Sequence, residues 1–134
     1  NDVYKWRVTF FGPPQSPYAG GVFPAIIEFP PDYPYNAPKM KFLTPMYHPN
    51  ITDNGEVCIS LLKNPNIPAD QQQDFIPYEF TAQFFFISVQ AMLSDPDFDA
   101  PVNNDVAYTY HTNPREFMRK VKRTLLSVTD PNDF

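Results

Sequence analysis

Lys5-Trp6-Arg7-Val8-Thr9-Phe10 alternates without a break: Trp6, Val8 and Phe10 share one face, and Lys5, Arg7 and Thr9 share the other. That period of two is the pattern of a strand with one face buried. Gly12-Pro13-Pro14 ends the run and Gly20-Gly21 opens the next, in which Phe23, Ala25, Ile27 and Phe29 form a second inward face. Pro30-Pro31 closes that strand, and Met40 and Phe42, set between Lys39 and Lys41, predict a third. Consecutive strands separated by turns make an antiparallel meander.

Further along, the period lengthens. From about Phe80 to Leu93, Phe80, Phe84, Ile87 and Ala91 keep helical spacing, with Phe85, Val89 and Met92 beside them. So wide an apolar face predicts a central, mostly buried helix. A short helix is expected from Asn104 to Tyr110. The last helix has a full start signal: Asn113 as N-cap, Pro114 in the first helical position and Glu116 placed for a capping box. Its apolar stripe is Phe117, Val121, Leu125 and Val128. Strands followed by helices predict an α+β fold, and residues 1–134 read as one domain.

Composition removes several function classes. The chain has 134 residues, 43% of them hydrophobic and 16% aromatic, which suits a packed core rather than a disordered segment. Its formal net charge is -5, and the basic residues concentrate only between Arg115 and Arg123, so nucleic acid is not an expected partner. A charged helical face of that kind is ordinarily a solvated one. No stretch reaches the length of a membrane span, and no direct membrane contact is expected from this segment. The single cysteine excludes an internal disulfide and points to a reducing compartment, cytoplasmic or nuclear.

Residues 45–77 fit neither period and hold that cysteine, Cys58, together with one of two histidines. Functional residues concentrate on such loops. His48-Pro49-Asn50 lies upstream of Cys58, with Asn54-Gly55 as a tight turn between them. Neither His48 nor His111 stands in a cysteine-protease signature, and one Cys with two His is too few for a structural zinc site; no metal and no cofactor is expected.

The ordered set Tyr33-Pro34-Tyr35, Phe42-Leu43-Thr44, His48-Pro49-Asn50-Ile51 and Gly55-Glu56-Val57-Cys58-Ile59 resembles the active-site signature of the ubiquitin-conjugating enzymes. Upstream, Trp6, Gly12-Pro13, Tyr18, Gly20-Gly21, Phe23 and Phe29-Pro30 match the same family, as do Asp95-Pro96 and Pro101 downstream. The resemblance covers nearly the whole chain. It implies the UBC fold, with the family's first helix missing at the N-terminus. The Gly-x-Val-Cys-Ile-Ser motif and the insertion from Lys63 to Asp74 resemble the subgroup with an extended acidic loop, which works with cullin-RING and degradation-linked RING ligases; here the insertion is shorter and mildly acidic.

The resemblance implies that Cys58 takes ubiquitin from an activating enzyme, in an ATP-driven pathway, as a thioester. It then passes ubiquitin to a lysine of a protein substrate with a RING-type ligase. A thiol of ordinary pKa suffices against an activated donor, and a strong neighbouring base would also activate water. By the same resemblance Asn50 stabilises the oxyanion or the loop, His48 supports the turn, and Tyr35, Phe75 and Pro77 form the ligase-binding surface. Ser60 stands where some members have Asp, and Asn113 where many have an acidic residue at the mouth of the site. Asp97 and Asp99 are therefore candidates for activating the acceptor lysine. Three other readings stay open: a conjugating enzyme for another ubiquitin-like modifier, a non-catalytic ubiquitin-binding variant, and an unrelated α+β interaction domain with a buried structural thiol.

Overall fold

The computed structural model describes residues 4–33, 38–57 and 82–128, and in the last stretch the side chains of 85–126. Four strands, β1 (Tyr4–Phe11), β2 (Val22–Phe29), β3 (Lys39–Phe42) and β4 (Glu56–Val57), form one sheet in the order β1-β2-β3-β4, every pair antiparallel. Three helices follow among the described residues: α1 (Ala82–Ser94), α2 (Asn104–Thr112) and α3 (Pro114–Val128). The α+β meander read from the sequence is the observed fold.

Register explains the core. Val8 pairs with Ala25, Phe10 with Phe23, Ala25 with Phe42, and Ile27 with Met40, so successive strands turn their apolar sets to one face. Phe10, Phe23, Ala25, Ile27, Met40, Phe42 and Val57 are buried there against Phe85, Val89 and Leu93 of α1 and Phe117 and Val121 of α3. Each fully buried large side chain contributes roughly 1.5–3 kcal/mol. The opposite face is charged, with its lysines in register with glutamates and Arg7 opposite Ile26. Lys5 lies opposite Glu28, which lies opposite Lys39, and Lys41 lies opposite Glu56. The Lys5–Glu28 pair closes to 3.5 Å.

Gly55 makes the turn from the site loop into β4. Its φ is +86°, and a Cβ there would stand 2.4 Å from the Phe42 carbonyl oxygen, so no other residue fits without displacing β3. Its N–H donates to Thr52 O and its carbonyl accepts from Phe42 N, which closes the Asn54-Gly55 turn onto the sheet.

Four local expectations are corrected. Trp6 is on the inner face but is 45% exposed, because the helices cover the Phe10 end of β1; it packs edge-to-face on Phe29 instead, at 4.9 Å. On α1 the buried line is Phe85, Ser88, Val89 and Leu93, one position round from the Phe84–Ile87–Ala91 line read as primary; Ile87 and Ala91 are half-buried, and Phe80 lies outside the described residues. The helix after Asn103 runs two residues past Tyr110, to Thr112. The capping box of α3 is only half formed. Asn113 Oδ1 accepts from Glu116 N at 3.2 Å, but the Glu116 carboxylate pairs with Arg119, and the Asn113 N–H is already used on Thr109 O at 2.8 Å.

Candidate active site

The site begins with a turn that the sequence builds from His48, Pro49, Asn50 and Ile51. Ile51 N donates to His48 O, and Asn50 N donates to His48 Nδ1 at 2.9 Å. A backbone N–H can only donate, so Nδ1 accepts and the ring's hydrogen is on Nε2, which donates to Met92 O at 2.9 Å. His48 is completely buried and stacked on Tyr18 with centroids 5.2 Å apart, while Tyr18 Oη donates to Tyr47 O at 2.7 Å. Burial pushes the His48 pKa down to about 4, against the opposing pull of its bond to Met92 O. The ring is neutral at physiological pH and both nitrogens are engaged. It holds the turn to the last turn of α1.

Pro49 and Asn50 fasten the same turn to the chain after α1. The Pro49 carbonyl accepts from both Val102 N and Asn103 N at 2.9 Å, using the two acceptor sites of one oxygen. Asn50 Nδ2 donates to Asp97 O and Asn50 Oδ1 accepts from Asp97 N, each at 2.9 Å. The carboxamide therefore bonds both the N–H and the C=O of one residue, a geometry that neither Asp nor Ala reproduces.

Residues 95–101 are braced from their other side as well. Asp97 Oδ1 accepts from Asp99 N at 2.9 Å and Ala100 N at 3.1 Å, so this carboxylate shapes its own turn. Phe98 stacks on Tyr110 at 3.7 Å and meets Phe117 edge-on at 5.3 Å, and His111 Nε2 lies 3.3 Å from Phe98 O. The Asp99 side chain is exposed and enters no ion pair among the described residues. Asn113 joins α2 to α3, exposed, with its side chain spent on the α3 cap.

His48, Asn50, Asp97 and Asp99 are thus brought together around one loop pair, and Asn113 stands at the α2–α3 junction. Cys58, Tyr35, Phe75 and Pro77 lie outside the described residues. Among the described residues no group of His, Cys, Asp or Glu could hold a metal, and no helix is long and apolar enough to cross a membrane.

Sequence reasoning missed the second half of the brace. Asn103 Nδ2 donates to Asp53 Oδ1 at 2.9 Å while Asn103 Oδ1 caps α2 from Val106 N at 3.4 Å. An Asn before Asn104-Asp105 carries a cap signal, but nothing local points to Asp53, fifty residues away. Tyr18 and Phe98 were equally hidden, since their partners are a carbonyl and rings distant in sequence.

This geometry has relatives. The family described as "Ubiquitin-conjugating enzyme" matches residues 1–125. The "Probable ubiquitin-conjugating enzyme E2 7" of Caenorhabditis elegans is 43% identical over 125 residues, covering 90% of this chain and 76% of that protein. "Ubiquitin-conjugating enzyme E2 15" of Schizosaccharomyces pombe is 41% identical over 125 residues, covering 90% and 74%. The fold superposes on the E2 domain of a Toxoplasma gondii ubiquitin conjugating enzyme with a TM-score of 0.75 and 37% identity, over 94% of this chain and 81% of that one. With the sheet, the helices and the His48–Asn50 turn in place, and with relatives this similar across most of its length, the chain belongs to the ubiquitin-conjugating enzyme family.

Proposed function

We propose that Cys58 accepts ubiquitin from an activating enzyme as a thioester and passes it to a substrate lysine, with a RING-type ligase as partner. In the first step the Cys58 thiolate attacks the activated C-terminal carbonyl and the activating enzyme's group leaves. In the second, the lysine nitrogen attacks the thioester carbonyl, loses a proton, and expels Cys58 as thiolate. The observation that carries this reading is the two-sided bond between the Asn50 carboxamide and the Asp97 backbone, which fixes the turn upstream of the only cysteine. Ubiquitin as modifier rests on the names of the relatives.

With both ends of its amide engaged, Asn50 acts first as a brace; an oxyanion role requires it to release Asp97. Asp99 is the better candidate for drawing the proton from the lysine, since one oxygen of Asp97 is already committed to two backbone N–H groups. Asn113 serves its helix cap rather than the reaction. Tyr35, Phe75 and Pro77 would meet the ligase, and the mildly acidic 63–74 insertion keeps the acidic-loop subgroup and its degradation-linked ligases as the class to try first. A lone thiol fits a cytoplasmic or nuclear protein.

The test is charging with activating enzyme, ATP and ubiquitin. A reductant-sensitive adduct that disappears in Cys58→Ala is expected. Charging by a different ubiquitin-like protein instead would replace the modifier. No adduct with any of them would leave a binding role.

A further inference from the structure

Five of the chain's ten Lys and Arg lie on α3, which holds a single acidic residue, in a protein of net charge -5. Their arrangement is ordered. Phe117 and Val121 are buried and Leu125 is half-buried, so the far side of the helix carries Arg115, Arg119, Lys122 and Leu126 at helical spacings of four, three and four, all exposed. Arg123 stands beside that row, also exposed.

Of the sheet's cations, Lys5, Lys39 and Lys41 each lie opposite a glutamate on a neighbouring strand, Lys5 at 3.5 Å from Glu28, and Arg7 lies opposite Ile26. Those of α3 are treated differently. Arg119 is held by Glu116, with its Nε 2.7 Å from Oε2, and Lys120 lies over the Tyr47 ring at 5.6 Å. Arg115, Lys122 and Arg123 form no ion pair among the described residues; Arg123 acts on Glu116 only at longer range. The row ends in Leu126, 74% exposed, which offers an apolar contact at the same edge.

We infer that the outer row of α3 is a docking stripe for an extended, acidic segment of a partner protein. Steps of four, three and four residues rise about 6, 4.5 and 6 Å, shorter than the roughly 6.6–6.8 Å between alternate residues of an extended chain by differences that long Arg and Lys side chains can span. Carboxylates at every second position of such a segment therefore meet Arg115, Arg119 and Lys122 in turn, and an apolar residue at its end meets Leu126. The Glu116 contact holds Arg119 in its place in the row. An anionic membrane fits less well, because Arg115, Arg119 and Lys122 follow one helical line that ends in one exposed leucine. The stripe shares no residue with the conjugation site and does not depend on how that site works.

The experiment is fluorescence anisotropy of a labelled ten-residue peptide alternating Glu and Ser, titrated with the full chain at about 0.05 M and about 0.15 M salt. Binding that weakens with salt is expected, with about tenfold loss in Arg115→Glu/Lys122→Glu and a smaller loss in Arg115→Gln/Lys122→Gln. Lys39→Glu/Lys41→Glu, which changes net charge equally, is expected to stay within about twofold of the unaltered chain. Circular dichroism establishes that each variant is folded. Equal losses in both charge-reversed chains would reduce the effect to net charge and overturn the proposal. So would no peptide binding at low salt, or binding to phosphatidylserine vesicles without binding to the peptide.

Discussion

The two histidines use the same bond in different surroundings. His48 and His111 each turn Nε2 toward a backbone carbonyl, Met92 O and Phe98 O, and each pins a loop of the candidate site. His48 does so in full burial, at 2.9 Å, stacked on Tyr18, with its second nitrogen also bonded. His111 does so exposed, at 3.3 Å, on a loop that Phe98, Tyr110 and Phe117 already hold by ring contact. Water can replace the bond of the second and not that of the first. One loop is therefore held by a polar residue that must stay neutral, and the other by apolar packing that charge hardly touches.

Removing the buried ring is the strongest way to break this contrast. His48→Ala strands the Met92 carbonyl and the Asn50 N–H and opens a cavity under Tyr18, so a loss of about 3–4 kcal/mol is expected by denaturant unfolding. His111→Ala is expected to cost less than about 1 kcal/mol in the same measurement.

Acid probes the difference with the chain intact. The His48 pKa is about 4 folded, below its ordinary 6.5, so the unfolded chain takes up the proton first as pH falls. The stability tied to the neutral ring is fully present above pH about 6.5 and is lost as pH falls through about 4, some 3 kcal/mol in total. Unfolding free energy measured from pH 7 to 4 is expected to show this slope, and His48→Gln to lose it. An unchanged slope in His48→Gln would place the acid-sensitive group elsewhere.

Two smaller substitutions sharpen the comparison from the side of the braces. Asn50→Ala leaves the backbone N–H and C=O of Asp97 without their partner, and about 2 kcal/mol is expected, with faster hydrogen exchange confined to 95–103. If Asn50 also serves the oxyanion, lysine discharge falls a further hundredfold or so beyond what the loosened loop explains, and Asn50→Asp does not restore it. Asn103→Ala removes the α2 cap and the bond to Asp53, for about 1 kcal/mol by thermal unfolding.

How legible all this was depended on the range of the interaction. Strands β1 to β3 are written in local alternation, and α3 in the Asn113-Pro114 start. Trp6 misled because alternation assigns a residue to a face but does not say how far along that face the cover extends. The α1 stripe came out one position round because Phe84 and Phe85 are equally apolar in sequence, and only distant partners such as Phe10, whose ring meets Phe85 at 6.3 Å, fix which line is buried. Within the site, the turn at His48 could be anticipated from its own residues, whereas the bonds of Asn50 to Asp97 and of Asn103 to Asp53 could not. A side chain bonding to a backbone group leaves no mark on the identity of its partner, so Asp97 was picked out for its carboxylate when its backbone N–H and C=O are what Asn50 holds.

Those bonds also bear on how the chain assembles. The meander closes through neighbours in sequence, but His48–Met92, Asn50–Asp97 and Asn103–Asp53 span 44, 47 and 50 residues. They are the seam where the first half of the polypeptide is joined to the second, and they can form only after the intervening chain has been brought round. The entropy of closing such a loop rises only logarithmically with its length. Adding a dozen residues between the halves would change the cost of forming the His48–Met92 contact by about 0.2 kcal/mol. The segment bridging the seam can lengthen or shrink over generations while the joint it spans stays nearly unaffected.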